Sequence, residues 1–254
     1  MTIRKQRESL GLRNFRKPLR GGLFRRPMWL AGTKIASSKG LSLFAPKIIF
    51  VCGTDTGVGK TVVTGALCAH LNKKGIRAGA FKPLESGCAS KGRHIRRADS
   101  EFLKKMARMP EPLDLINPYY FKEPLAPGVA AARQGIRVSF DKIKKNLRAL
   151  QKKYDVVFVE GAGGLLVPIA VRKTNLDLIR YLKAPVLVVA RLGLGTINHT
   201  LLTLEHLKRN RIRVLGVVLN QTSRGKTVAE KTNPEVLKRY GVSLLGIFPF
   251  TDFP

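Results

Sequence analysis

The sequence predicts one doubly wound α/β domain built on a mostly parallel sheet. From Lys47 onward, short apolar runs alternate with segments of helical pattern. Runs such as "KIIFVC" and "APVLVVARLG" are apolar almost throughout, as expected for strands that are buried on both faces. Alternating strands and helices favour parallel pairing through right-handed crossovers. Such sheets bind ligands at the carboxyl ends of their strands.

The elements of the domain can be assigned in order. "KIIFVC" is predicted as the first strand, and "VVTGALCAHLNKKG" as a helix that stops at Gly75. "RAGAFKP" is the second strand, ended by Pro83, and we expect it beside the first. "ADSEFLKKMA" is a short helix, and "SFDKIKKNLRALQKKY" is a helix with Ser139 as N-cap. The later segments are "DVVFVEGAGG" (strand and glycine loop), "TNLDLIRYLK" (helix), "APVLVVARLG" (strand), "TINHTLLTLEHLKRN" (helix), "IRVLGVVLN" (strand), "NPEVLKRY" (helix) and "VSLLGIFPF" (strand).

The composition favours a soluble protein in a reducing compartment. Apolar residues make up 44% of the 254 residues, and no run has the length of about 18 apolar residues typical of a membrane span. The cysteines form no CxxC pair and the histidines show no ligand spacing, which argues against disulfides and a zinc site. We therefore expect a cytoplasmic location.

The net charge of +31 is unusual and favours anionic partners. Residues 1–47 hold 12 basic residues and a single acid, Glu8. We expect residues 1–45 to be a basic, disordered extension, with a targeting peptide and upstream sequence before a misassigned start as alternatives. The catalytic domain would span residues 46–254. Because surface aromatics and a recognition helix are lacking, we expect a solvated basic surface that binds neither nucleic acid nor membrane.

The segment "GTDTGVGKT" resembles a phosphate-binding loop but places its first glycine, Gly53, one residue early. It follows a strand and opens a helix, so Gly57 and Gly59 would let backbone N–H groups face an anion. Lys60 would contact the β- and γ-phosphates and Thr61 would bind Mg²⁺. A tight strand-to-helix turn explains the glycines but not the Lys-Thr pair, so nucleotide binding is the favoured interpretation.

Four further side chains are expected near this loop. Glu160 lies in "VEGAGG" at a strand end and could meet a metal held by Thr61. Lys82, in "FKPLESG", would face phosphates or an anionic substrate, with Ser86 in the same loop. Asp99, in "RADS", could be a third metal ligand. A solvated glutamate, a surface lysine and a helix cap are the respective alternatives. This inventory suits phosphoryl transfer.

The motifs together resemble the dethiobiotin synthetase family of P-loop NTPases. They are "GTDTGVGKT", "KPLESG", "ADS", "NPYYFKEPLAP", "VEGAGG", "GTINHTLLT" and "GVVLNQ", and the resemblance covers about Lys47 to Phe250. The resemblance implies ATP- and Mg²⁺-dependent closure of a cyclic urea on 7,8-diaminononanoate with CO₂, through a carbamate and a carbamic–phosphoric anhydride. It also implies a homodimer, with the substrate carboxylate near the interface, and accounts for the shifted glycine.

The resemblance implies a role for each matching residue. The catalytic residues would be Lys82, Lys60, Thr56 and Ser86, of which Lys82 and Ser86 also bind substrate. The metal ligands would be Thr61, Asp99 and Glu160. The nucleotide would contact Gly57, Val58, Gly59, Lys60, Thr61, Val62, Asp99, Glu160, Gly161, Ala162, Gly163, Asn220, Gln221, Pro249, Phe250 and Thr251, with Asn220 binding the base.

Two departures and two rivals remain. Gly128 stands where members often have histidine, and the sequence stops at Pro254, before the tail that members often have. A cobyrinic-acid amidating enzyme would need a glutaminase domain for which the chain has no room. A partition-type ATPase would bind DNA or membrane through its basic surface, but its early loop lysine is replaced here by Asp55.

Overall fold

The computed structural model describes residues 47–91, 94–225 and 227–251. The proposed extension, residues 1–45, lies outside the described residues. The strands are β1 (Ile48–Gly53), β2 (Ala78–Phe81), β3 (Leu84–Ser86), β4 (Ala89–Lys91), β5 (His94–Arg96), β6 (Tyr119–Phe121), β7 (Val156–Gly164), β8 (Pro168–Ala170), β9 (Lys173–Thr174), β10 (Val186–Arg191), β11 (Val214–Asn220) and β12 (Leu244–Phe248). The helices are α1 (Lys60–Lys73), α2 (Ala98–Ala107), α3 (Leu113–Ile116), α4 (Pro127–Arg133), α5 (Phe140–Gln151), α6 (Asn175–Leu182), α7 (Thr196–Arg209) and α8 (Val228–Arg239).

The central sheet has six parallel strands in the order β12-β11-β10-β1-β7-β2. The chain first builds the β7-β2 side of β1 and then the β10-β11-β12 side, so the winding reverses at β1. Helices flank the sheet, and the predicted α/β fold is confirmed. The prediction that the second strand lies beside the first is wrong, because β7 lies between β2 and β1.

The register of β7 places functional residues at one edge of the sheet. Glu160 pairs with Val51 of β1, and Phe81 at the end of β2 pairs with Val159. Lys82 directly follows Phe81, so it emerges next to Glu160. Parallel strands that end at the same edge thus bring together residues 78 positions apart.

Burial of the strands on both faces explains their apolar runs. Ile49, Phe50, Val51, Phe158 and Val188 have no exposed surface. Side chains of this size stabilise a fold by about 1.5–3 kcal/mol each when fully buried. The sheet is therefore a rigid base for the loops at its carboxyl edge.

Helix α5 confirms the amphipathic pattern and cap of the sequence. The hydroxyl of Ser139 accepts a hydrogen bond from the backbone N–H of Lys142. Ile143, Leu147 and Leu150 are at most 1% exposed, and their spacing of four and three residues forms one helical face.

Helix α8 begins earlier than the sequence predicts. The predicted start was Asn233, but the helix begins at Val228 and contains Pro234. The Thr227 hydroxyl accepts from the Glu230 N–H, while the Glu230 carboxylate accepts from the Thr227 N–H. This capping box fixes the start five residues upstream.

Short elements fill the space between the larger ones. The pairs β3-β6, β4-β5 and β8-β9 form separate two-stranded ladders. Helix α4 packs against β8, and a Cβ on Gly128 would lie 3.0 Å from the Ala170 nitrogen and 3.1 Å from the Pro168 oxygen. The glycine therefore permits the close approach of two backbones. Across the described part of the chain, no helix combines the length and apolar character needed to cross a membrane.

Candidate active site

The loop between β1 and α1 has the geometry of an anion cradle. Gly57 and Gly59 adopt φ angles of 71° and 86°, in the left-handed region that favours glycine. A Cβ on Gly59 would lie 2.0 Å from the Asn220 amide nitrogen. That nitrogen donates to the Val58 carbonyl at 3.0 Å. The loop therefore needs glycine at this position for both its turn and its contact with β11.

The loop forms one wall of a cavity of about 290 Å³. Eleven of the predicted site residues line it: Thr56, Gly57, Gly59, Lys60, Thr61, Lys82, Ser86, Asp99, Glu160, Ala162 and Gly163. They come from the loop between β1 and α1, the start of α1, the end of β2, from β3 and β7, and from the start of α2. The sheet thus brings together residues that the sequence separates by about 100 positions.

The two lysines are buried in this wall. Lys60 is 7% exposed, and its ammonium donates to the Asp55 carbonyl at 3.3 Å. Burial lowers the pKa of Lys60, and the charge of Lys82 lowers it further. For Lys82, burial acts in the same direction, but the carboxylates of Glu160 and Asp99 outweigh it and raise the pKa. Lys82 is therefore a fixed cation at neutral pH.

The predicted metal ligands converge on the Lys82 ammonium. Its Nζ lies 2.8 Å from Asp99 Oδ2 and 2.5 Å from Glu160 Oε1. The Thr61 hydroxyl donates to the same Glu160 oxygen at 2.7 Å. Burial would raise the pKa of Asp99, but Lys82 outweighs it and lowers the pKa. Both carboxylates therefore contact one buried ammonium.

This donor set fits Mg²⁺. Glu160 has no exposed surface, and its Oε2 has no hydrogen-bond partner among the described residues. An unpaired, buried carboxylate oxygen is costly unless a ligand or water uses it. Within the described residues no group of three or more His, Cys, Asp or Glu is arranged to hold a metal. Asp99 and Glu160 would therefore act with the Thr61 hydroxyl, phosphate oxygens and water, which is the usual coordination of Mg²⁺.

Several predicted nucleotide residues lie off the cavity wall. Asn220 and Gln221 are 5% and 7% exposed at the end of β11, and the Gln221 amide donates to the carbonyls of Ser223 and Gly225. The remaining ones are Val58 and Gly161, which are buried, Val62, Pro249 and Phe250, which are partly exposed, and Thr251, which is exposed. Asn220 contacts the phosphate-binding loop. The contacts of all these residues with a nucleotide stay predictions.

Asp99 is not the N-cap that one interpretation of the sequence suggested. The N-cap of α2 is Arg97, which forms no side-chain cap. Glu85 takes that role from a distance: Oε1 accepts from the Asp99 N–H at 2.9 Å, and Oε2 accepts from the Ser100 N–H at 3.1 Å and from the Ser100 hydroxyl. Glu85 lies in the "KPLESG" segment one residue before Ser86, but that segment carries no sign of this capping role.

Asp55 also has a contact that the sequence did not reveal. Its Oδ1 accepts from the Thr56 N–H at 2.7 Å, and its Oδ2 lies 2.5 Å from the Arg191 guanidinium at the end of β10. Asp55 therefore ties the loop to the neighbouring strand.

The parallel sheet, the glycine loop and the buried lysines define a P-loop nucleotide-binding protein. The fold resembles the MinD cell division protein of Aquifex aeolicus, with a TM-score of 0.50 at 16% identity over 81% of this chain and 83% of that one. A family model described as an AAA domain matches residues 47–252.

The relatives give the particular family. The chain is 46% identical to the ATP-dependent dethiobiotin synthetase BioD of Thermodesulfovibrio yellowstonii over 79% of this chain and 88% of the relative. It is 45% identical to the protein of the same name from Anaeromyxobacter sp. strain K over 75% and 84%. The chain belongs to the dethiobiotin synthetase family.

Proposed function

We propose that this protein is an ATP-dependent dethiobiotin synthetase. It would carboxylate 7,8-diaminononanoate with CO₂ and close the urea ring, with release of ADP and phosphate. The observation that carries the proposal is the convergence of Lys60, Lys82, Thr61, Asp99 and Glu160 on one cavity in a chain of this family. The cavity volume, about 290 Å³, is near the lower end of the usual range for small-molecule sites.

The reaction requires two anions to meet. One amine attacks CO₂ and loses a proton to give a carbamate, whose oxygen then attacks the γ-phosphorus of ATP and displaces ADP. The second amine attacks the carbonyl carbon of the resulting anhydride, phosphate leaves, and the ring closes as that amine loses a proton to solvent. Because carbamate and triphosphate repel each other, buried cations at their meeting point favour the phosphoryl transfer.

The lysines of the cavity are suited to this task. We assign Lys60 to the β- and γ-phosphates and Lys82 to the carbamate and γ-phosphate. A unit charge pair at about 4 Å contributes roughly 4 kcal/mol at an effective dielectric near 20. The hydroxyls of Thr56 and Ser86 lie on the cavity wall and would donate to carbamate or phosphate oxygens.

Mg²⁺ held by Thr61, Asp99 and Glu160 would supply further positive charge to the phosphates when bound. The orphan oxygen of Glu160 and the pairing of both carboxylates with one ammonium support this assignment. We assign Asn220 and Gln221 to the base, with residues 249–251 beside it.

A homodimer is part of the proposal. Leu194, just before α7, is 86% exposed, and Leu202 on α7 is 62% exposed. Contiguous apolar patches mark surfaces that a partner covers, and we assign Leu194 and Leu202 to such a surface. Light scattering should give twice the monomer mass, and Leu202→Asp should lower it. A monomeric wild-type protein at micromolar concentration would contradict the dimer.

The direct test is product formation. Purified protein with the diamine, bicarbonate, Mg²⁺ and ATP should give dethiobiotin by mass spectrometry. Lys82→Ala should abolish product but keep ATP binding, because Lys60 and the glycine loop remain. The exposed Lys105→Ala is the matched control and should keep full activity. Undiminished ring closure in Lys82→Ala would overturn its role.

The same assay separates the rival partition-type ATPase. ATP turnover should require the diamine and bicarbonate and should not respond to DNA or lipid vesicles. Asp55, which stands at the position of the rival's loop lysine, is paired with Arg191. Turnover that is stimulated by DNA or vesicles without the diamine would favour the rival. A cytoplasmic location stays a prediction.

A further inference from the structure

Glu85 is a buried acid that the reaction described above leaves without a task. It is 5% exposed and lines the cavity between Leu84 and Ser86. Burial of a carboxylate is unfavourable unless hydrogen bonds or charges compensate it. Its partners therefore indicate what it does.

Among the residues that the structure describes, the hydrogen-bond partners of the Glu85 carboxylate belong to the first turn of α2. They are the backbone N–H groups of Asp99 and Ser100 and the Ser100 hydroxyl. The N-cap residue, Arg97, supplies no side-chain cap, so Glu85 replaces it. A negative charge at this end also interacts favourably with the helix dipole.

The capping of α2 by Glu85 fixes the position of Asp99. Its backbone N–H is fixed by Glu85, while its carboxylate lies 2.8 Å from Lys82 Nζ. Lys82 is three residues before Glu85, and its own backbone is held by the Ile116 carbonyl at 3.0 Å and the Asn117 amide at 2.7 Å. The backbone from Lys82 to Glu85, together with the contacts that each makes with Asp99, thus closes a loop that sets the distance from Asp99 to the rest of the site.

We propose that Glu85 is a positioning residue: by capping α2 from inside the cavity, it sets where Asp99 presents its carboxylate to Mg²⁺. The inference rests on the proposed function only through Mg²⁺ as a ligand. Three of about four acceptor positions on the Glu85 carboxylate are already used, which argues against direct contact with metal or diamine.

The test is the effect of Mg²⁺ on binding of a non-hydrolysable ATP analogue, measured by calorimetry without turnover. Glu85→Gln keeps the shape but turns an amide donor toward the helix donors. We expect metal-free affinity to be unchanged and the gain in affinity from Mg²⁺ to fall about tenfold, as for other residues that orient a metal ligand. Glu235→Gln, on the exposed side of α8, is the matched control and should behave as wild type.

A double variant shows whether Glu85 acts through Asp99. In an Asp99→Asn background, Glu85→Gln should reduce the Mg²⁺ gain no further. An unchanged gain in the single variant, an additive loss in the double variant, or a defect confined to the KM of the diamine would each overturn the inference.

Two further measurements test the role of Glu85 if Glu85→Gln does not fold or if the wild-type protein makes no dethiobiotin. If Glu85→Gln does not fold, Ser100→Ala removes one donor without a charge change, and it should lower the Mg²⁺ gain in part; an unchanged gain would overturn the inference. If wild-type protein makes no dethiobiotin, the proposed function fails, whereas the analogue titration still decides the role of Glu85.

Discussion

Replacing Lys82 by methionine tests whether its ammonium occupies the place between the two carboxylates that Mg²⁺ can also occupy. The change keeps most of the side-chain volume and removes the charge between Asp99 and Glu160. Removal of one partner from a buried ion pair costs about 3–5 kcal/mol. The Asp99 side chain is 44% exposed, so water compensates part of this loss and we expect about 3 kcal/mol. For a domain of this size, that corresponds to a Tm lower by about 6–12 °C.

Mg²⁺ should reverse much of this loss because it restores a cation between the carboxylates. A ligand at about 100 times its Kd stabilises the folded state by about 2.7 kcal/mol. The Tm of Lys82→Met should therefore rise steeply with Mg²⁺ concentration. The Tm of the wild-type protein, whose site already holds an ammonium, should rise less. Lys105→Ala, an exposed charge change on α2, should match wild type. Equal responses to Mg²⁺ in wild-type protein and Lys82→Met would refute the reasoning.

Three further changes test other parts of the structure. Gly59→Ala imposes left-handed strain of about 1–3 kcal/mol together with a collision at 2.0 Å, so nucleotide titration should show a loss of affinity of roughly tenfold or more; Gly75→Ala has similar strain (φ 79°) but no collision and should retain affinity. Lys82 lowers the pKa of Asp99 in the folded state despite burial. The ionised Asp99 therefore contributes to the free energy of unfolding above its unfolded-state pKa, and this contribution is lost as the pH falls through its folded-state pKa. The free energy of unfolding of Asp99→Asn, measured in urea, should then depend less on pH between about 5 and 2 than that of the wild type. Identical slopes of this free energy against pH would contradict the prediction. Gly128→Ala would press a Cβ against backbone atoms at 3.0 and 3.1 Å and should lower the unfolding free energy by about 1–3 kcal/mol in urea; a neutral result would show that α4 can shift.

The large elements of the fold follow from local pattern. Apolar runs define the strands of the main sheet, and the spacing of Ile143, Leu147 and Leu150 defines the buried face of α5. Strand order does not follow, because it depends on pairing between distant segments. The sequence therefore could not show that β7 separates β2 from β1. Ladders of two or three residues are too short to display a period.

The candidate site was predictable to the extent that it lies at strand ends. Lys82 and Glu160 meet because Lys82 follows the last residue of β2, and Glu160 lies beside it in the neighbouring strand β7. The role of Glu85 was not predictable, since its partners, two backbone N–H groups and the Ser100 hydroxyl, lie in a helix 14 or 15 positions away. Helix caps supplied by a distant side chain leave no mark on the helix's own sequence.

The hydrogen bond from the Asn220 amide to the Val58 carbonyl holds the phosphate-binding loop against the end of β11. If Asn220 turns its amide toward an incoming purine, Val58 loses its donor, so base and loop compete for one side chain. Tripolyphosphate, which has no base, would then bind to a loop that keeps this hydrogen bond, whereas a full nucleotide would break it. Binding of the purine would therefore change the flexibility of the phosphate-binding loop.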